Sequence, residues 1–325
     1  MATLNLILGR IVKAALTLLA IVVLNFILIH AAPGDPALVL AGEAGAADEE
    51  SIRQLRERFG LDRPFHVQLW SYVSNVAQLD LGWSHRQNAP VLDLILERLP
   101  ATLLLTLTAF GVSLLLGIVL GVAASARVGR WSDSLITGVA LLFYATPLFW
   151  VALMAVLLFS VNLGWLPGFG YSTVGGGRTG LAHALDVARH LVLPAMTLGL
   201  FFMAVYLRMT RASMLEVSGQ DFVRTARAKG LSEPVIRRRH ILRNALLPVV
   251  TLAGLQAGQL VGGAVLTETV FAWPGIGRLM FESLAARDYN VLLGVFLVSA
   301  AMVILFNVIT DVVYRLIDPR IGRNA

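Results

Sequence analysis

The sequence contains no cysteine. That excludes a disulfide scaffold, a thiolate zinc site and a cysteine-ligated iron–sulfur cluster. Charge is also scarce: Asp, Glu, Lys and Arg make up 14% of the 325 residues, against about one quarter in a soluble domain. Hydrophobic residues reach 57% and mean hydropathy is +0.75, which excludes a soluble globular chain and a disordered one. Enzymatic signatures are missing too. There is no His-Glu-x-x-His helix, no Gly-x-Ser-x-Gly elbow and no nucleotide-binding loop. Gly175-Gly176-Gly177 is not followed by a Lys-Ser/Thr pair, so it does not form a phosphate cradle. No acidic residue lies inside an apolar window. Glu268 and Asp311 stand only at window ends, which argues against a proton relay through a midplane carboxylate.

Long apolar runs are abundant. A bilayer core needs roughly 20 apolar residues of helix. Windows of this kind cover Ala14–Gly34, Leu99–Ala126, Ser134–Phe159, His190–Leu207, Asn244–Thr267 and Tyr289–Thr310, the fourth being short. The first exceeds the apolar core of a signal peptide and reads as an uncleaved span. The windows are solid rather than alternating, which favours helices over a barrel. The expectation is an all-α polytopic membrane protein with six transmembrane helices. Placing both termini in the cytoplasm puts sixteen Lys and Arg inside against ten outside, as the positive-inside rule requires.

Residues 33–98 are too long for a bare loop and read as an extracytoplasmic subdomain. Pro33-Gly34-Asp35-Pro36 is a rigid exit, and 48–59 has helical spacing ending at Gly60. Residues 80–84 read as a turn, and Val91–Arg98 as a short interfacial helix before Pro100. This segment either caps the bundle or contributes an outer docking face. The expected organisation is a span plus subdomain over 1–98 and a core membrane domain over 99–325. Within the spans, Gln256 and Gln259 share a helix face; they line a polar path or bond to neighbouring helices. Gly111, Gly117 and Gly121 lie in the second window, and Gly254, Gly258 and Gly262, spaced four apart in the fifth, form a small-residue stripe suited to close helix packing.

The most informative stretch is 211–243, with eight basic residues against three acidic. A helix follows Asp221 and stops at Gly230. Ser232 sits at an N-cap position, with Pro234 in the next first turn. A helix–glycine–helix protrusion on the cytoplasmic face is suited to docking a soluble partner, although basic juxtamembrane residues also attract anionic lipid. If the chain moves solute uphill, the energy must come from such a partner.

Asp221-Phe222-Val223-Arg224-Thr225-Ala226-Arg227-Ala228-Lys229-Gly230-Leu231-Ser232 resembles the ATPase-coupling motif of binding-protein-dependent ABC importer permeases. His240–Pro248 continues it in the manner of the dipeptide, oligopeptide and nickel branch. Glu268-Thr269-Val270-Phe271-Ala272-Trp273-Pro274-Gly275-Ile276-Gly277-Arg278-Leu279, Arg287-Asp288-Tyr289, Ala32–Pro36, Gly60–Pro64 and Leu81–Ser84 extend the likeness over the whole chain, which is similar to the first of the two permease subunits. Arg224-Thr225-Ala226 stands where the general motif has Glu-Ala-Ala.

This resemblance implies a type I importer permease fold in the bacterial inner membrane. It implies a second homologous permease, two cytoplasmic ATPases (identical or different) and an extracytoplasmic solute-binding protein. ATP and Mg2+ would be bound by the ATPases, with no cofactor, metal, catalytic residue or nucleic acid on this chain. The implied coupling residues are Asp221, Arg224, Ala226, Arg227, Lys229, Gly230, Leu231, Ser232, Arg239 and His240. Glu268, Phe271, Trp273, Pro274 and Gly275 are candidate outer-face contacts. The implied activity is passage of di- or oligopeptides by alternating access, with nickel chelates, glutathione or another small solute as alternatives. An ion-coupled carrier and a non-transporting scaffold are the rival classes.

Overall fold

The computed structural model describes residues 2–31, 62–84, 86–175 and 177–317. The expected exit at 33–36, the helix over 48–59 and its Gly60 cap lie outside them. The described chain is helical apart from one two-residue ladder. In order it forms α1 (Ala2–Ala31), α2 (Phe65–Ala77), β1 (Trp83–Ser84), β2 (Ala89–Pro90), α3 (Val91–Ser125), α4 (Trp131–Ala145) and α5 (Leu148–Ala155). A π-helical stretch, Val156–Asn162, follows. Then come α6 (Gly180–Ser218), α7 (Asp221–Ala228), α8 (Glu233–Val235), a π turn at Ile236–Ile241, α9 (Leu242–Val270), α10 (Ile276–Ala286) and α11 (Tyr289–Ile317).

Among the described residues, α3, α6 and Tyr289–Thr310 are long and apolar enough to cross a membrane. A fourth crossing exists if Trp131–Ala145 and Leu148–Asn162, bent by 104°, form one span. Six is therefore not a count these helices establish. The bend corrects the expected unbroken window Ser134–Phe159. Pro147 has no N–H and disfavours a helical residue before it, and Thr146 is accordingly extended at φ −82, ψ 136. Two further expectations change. Val91–Arg98 is no separate interfacial helix but the first turns of α3, which continues through Pro100. The short window His190–Leu207 belongs to a 39-residue helix whose apolar stretch is 72% buried, against 28% for each of the other two. Arg211 in its C-terminal part makes a two-pronged pair with Asp133, Nε–Oδ1 and Nη2–Oδ2 both 2.8 Å.

The chain divides into two compact units. One comprises residues 1–100 with 279–304, so α10 and the start of α11 join the N-terminal segment. Here Phe26 of α1 meets Phe65 and Tyr72 of α2, and Asn25 Nδ2 donates to the Leu293 carbonyl at 3.2 Å. The expected turn at 80–84 is present: Gly82 has φ +89 and donates to Asp80 Oδ1. Asp288 ties the ladder to α11, accepting from the Ser84 hydroxyl and capping the Val291 N–H.

The other unit comprises 101–278 with 305–325 and is organised around α6. Leu198, Phe202 and Tyr206 pack with Leu105 and Ala109 of α3 and with Val249 and Ala253 of α9. The glycines of α3 are not equivalent. A Cβ on Gly117 would lie 2.5 Å from Tyr206 Cβ and one on Gly121 2.6 Å from Thr210 Cβ, whereas Gly111 has nothing within 4 Å. Gly254 is packed against Thr310. Close backbone approach of α3 and α6 therefore depends on two positions. Gly117→Val should destabilise the purified chain by about 1–3 kcal/mol, and Gly111→Val should have little effect. Unfolding midpoints of the two variants in detergent will check this.

Candidate functional site

The basic hairpin begins where α6 ends. Val223 and Ala226, three residues apart on α7, are buried against Met214 and Val217 of α6, Ile236 and Ile241 of the π turn, and Ala245 of α9. This apolar face pins the hairpin to the ends of two long helices. The turn is closed by backbone geometry. Gly230 has φ +75, its N–H donates to the Arg227 carbonyl at 2.9 Å, and the Leu231 N–H reaches the Ala226 carbonyl at 3.4 Å. That is the paired-bond glycine ending of a helix. Ser232 holds the N-cap backbone conformation at φ −69, ψ 145, without a side-chain cap bond. Its role is therefore in the backbone, where its carbonyl accepts from the Ile236 N–H at 3.0 Å.

An ion pair spans the turn: Arg227 Nε donates to Glu233 Oε1 at 2.7 Å. The hydrogen bond from Arg227 holds the Glu233 carboxyl below its usual range, and Glu233 pushes Arg227 up. Among the residues expected to couple, Asp221, Arg224, Lys229, Gly230, Leu231, Ser232 and Arg239 are exposed and His240 is half-buried. Two are placed differently. Ala226 faces the interior, because its position on α7 completes the apolar contact. Arg227 is engaged within the hairpin. Phe222 and Val235, 39% and 38% exposed, add apolar surface beside the charges. Large apolar residues flanking a buried i, i+3 pair were the signal for them.

The second cluster surrounds Glu268 near the end of α9, a carboxylate with no exposure. Oε1 accepts from the Thr102 hydroxyl at 2.6 Å, and Oε2 from the Arg278 N–H at 2.9 Å. The same Thr102 oxygen accepts from the Ile276 N–H at 2.8 Å. The loop after α9 thus wraps its own glutamate. A Cβ at Gly275 would stand 2.1 Å from Oε1, and one at Gly277 2.8 Å from Val265 Cα, so both must be glycine. Trp273 is fully buried; its Nε1 donates to the Ala101 carbonyl at 2.8 Å and its ring lies 4.9 Å from Tyr171. The Phe271 carbonyl accepts from the Gly170 N–H. This corrects the expected outer-face contacts: Glu268, Phe271, Trp273 and Gly275 are buried and Pro274 is half-buried. Their side chains anchor a loop rather than present a surface.

Gln256 is half-buried, and its Oε1 is enclosed without a hydrogen-bond partner among the described residues. The Gln259 side chain lies outside them. No group of three or more His, Asp and Glu suited to a metal ion occurs among the described residues.

Residues 113–323 match the family described as the inner membrane component of binding-protein-dependent transport systems. Residues 3–106 match its N-terminal region. The chain belongs to this family. It is an ABC-importer permease subunit, and as such carries no ATPase site. A putative peptide transport system permease protein of Brucella abortus (strain 2308) is 41% identical over 316 residues, covering 97% of this chain and 98% of that protein. The dipeptide transport system permease protein DppB of Alkalihalophilus pseudofirmus is 40% identical over 320 residues, covering 94% and 95%. The glutathione transport system permease protein GsiC of Salmonella paratyphi A is 41% identical over 318 residues, covering 98% and 99%. In three dimensions the permease resembles a chain of the inward-facing MetNI methionine ABC transporter with a TM-score of 0.56, at 18% identity over 69% of this chain and 96% of that one. That likeness is one of fold.

Two outcomes follow from this geometry. Thr102→Val removes both bonds at its hydroxyl and should destabilise the permease by roughly 1.5–3 kcal/mol. Thr108→Val, which loses only a bond to its own helix, should change the unfolding midpoint little. For the hairpin, the Arg227–Glu233 pair contributes fully above the ordinary glutamate range and is lost as pH falls through the lowered value of Glu233. A spin label at Ser232→Cys, in a chain without other cysteines, should become more mobile below that range. In an Arg227→Gln background its mobility should not change with pH there.

Proposed function

We propose that this permease forms half of the translocation pathway of an ATP-driven importer for small peptides. Its basic hairpin is the lever held by a cytoplasmic ATPase. The observation carrying the reading is the double anchorage of α7. Val223 and Ala226 bind it to the ends of α6 and α9, while Asp221, Arg224, Lys229 and Arg239 remain exposed. A push on the exposed face is transmitted to two long helices instead of being absorbed by a loop. The charge distribution supports a cytoplasmic position for the hairpin and both termini.

The partners are those of the family: a second permease, two ATPases that bind ATP and Mg2+, and an extracytoplasmic binding protein that delivers the solute. ATP binding can reorient the spans only to the extent that the ATPases bind one orientation more tightly. A small peptide is the favoured cargo. The relatives named for peptide, dipeptide and glutathione transport share it chemically, glutathione being a tripeptide.

Gly230→Pro cannot adopt φ +75 and removes the N–H that closes the turn. In vesicles containing all partners, uptake of a labelled dipeptide should fall at least about tenfold while the ATPases still hydrolyse ATP. Wild-type uptake by this variant, or uptake by the permease alone in an ion gradient, would count against the proposal.

A further inference from the structure

A cavity of about 300 Å3 lies between the π-helical stretch after α5, the loop that follows it and the first half of α6. Its volume is at the lower end for small-molecule pockets. It is polar, and the buried acid within its wall is already satisfied. Asp186 accepts from the Thr173 N–H at 2.6 Å, the Thr173 hydroxyl at 2.9 Å and Arg178 Nη1 at 2.5 Å. The Arg178–Asp186 pair is therefore neutral overall, and the Asp186 carboxylate is fully engaged within the chain.

Three other groups on the wall each keep a polar atom without a partner among the described residues. Arg189 is exposed and makes no hydrogen bond or ion pair among the described residues. The Ser160 hydroxyl is likewise unbonded among them. His190 is 93% buried, at 7% relative exposure, and its Nδ1 lies 2.8 Å from the Asp186 carbonyl oxygen. A carbonyl only accepts, so Nδ1 carries a proton; Nδ1 also lies 3.9 Å from Asp186 Oδ1, and in the neutral form of the ring Nε2 keeps a lone pair. Nε2 has no partner among the described residues. The cavity thus offers one uncompensated cation, one hydroxyl and one acceptor, with Trp165 as an aromatic wall.

We infer that this cavity binds the carboxyl-terminal residue of a peptide. The guanidinium of Arg189 and the Ser160 hydroxyl take the terminal carboxylate. His190 Nε2 accepts the amide N–H two bonds from that carboxylate, and Trp165 covers the side chain. A carboxylate alone would leave the acceptor unused, and a neutral amide would leave the cation unpaired. The inference deepens the small-peptide reading and rests on it for the source of the ligand. The subsite itself is a property of this chain alone.

Saturation-transfer NMR on the full-length permease in lipid nanodiscs tests it, with N-acetylglycine as probe and N-acetylglycinamide, acetate and inorganic phosphate as comparisons. N-acetylglycine should bind, with the amide and acetate weaker by roughly tenfold and phosphate failing to displace it at equal concentration. Arg189→Gln should weaken binding by roughly tenfold, and Arg189→Lys should restore part of it. Arg189 is exposed, so both variants should keep the parent's unfolding midpoint. Equal binding of the amide, displacement by phosphate, or an unchanged affinity in Arg189→Gln would overturn the subsite. Dipeptide uptake by the complete importer is scored separately. Import with no N-acetylglycine binding refutes the subsite alone; binding by a chain whose assembled importer takes up no peptide refutes the cargo.

Discussion

A carboxylate removed from water costs several kcal/mol unless every oxygen is matched by a donor, and Glu268 meets that condition by recruiting the chain around it. Thr102 and the Arg278 N–H supply donors, and Gly275 and Gly277 supply space. The loop after α9 consequently has one conformation, with Trp273 seated beside α3. The arrangement joins three parts of one unit: the start of the helix that follows Pro100, the end of α9 and the segment leading to α10. Once the glutamate is placed, the positions of those parts are tied to one another.

The same solution recurs at three other buried acids. Asp133 takes Arg211 and the Gly129 N–H. Asp186 takes Thr173 and Arg178. Asp288 takes Ser84 and the Val291 N–H. Each acid stands at the end of an apolar stretch, where leaving it unpaired would be most costly and where backbone N–H groups are not yet committed to a helix. The buried acids among the described residues are thus structural clamps. The exposed cations of the hairpin and Arg189 are what remain for partners and ligands.

Much of this was legible in the residues. Charge-free windows fell on each of the three described helices long and apolar enough to cross a membrane, and Gly230 with Ser232 located the hairpin turn to the residue. Other features were not. The apolar window over 134–159 contains no charge to mark a break, yet Pro147 bends it through 104°, because a backbone without an N–H matters as much as hydropathy. The window for the fourth span ended at Leu207, whereas α6 runs on to Ser218, and Arg211 within that extension is paired with a residue 78 positions earlier. Ala226 and Arg227 share a motif with exposed neighbours. One faces the core and the other a local glutamate, since a helix turns its residues by about 100° each.

Local chemistry along the chain was sufficient for two conclusions: it is a helical membrane protein, and a glycine-broken helical hairpin stands between its fourth and fifth apolar windows. Composition and periodicity act over a few turns, so they can be read in one dimension. The partners of Glu268, the pairing of Arg211 with Asp133, and the meeting of Ser160 with Arg189 and His190 around one cavity arise from contacts between segments far apart in order. Those depend on which helix faces lie against one another, and that is settled only when the helices pack.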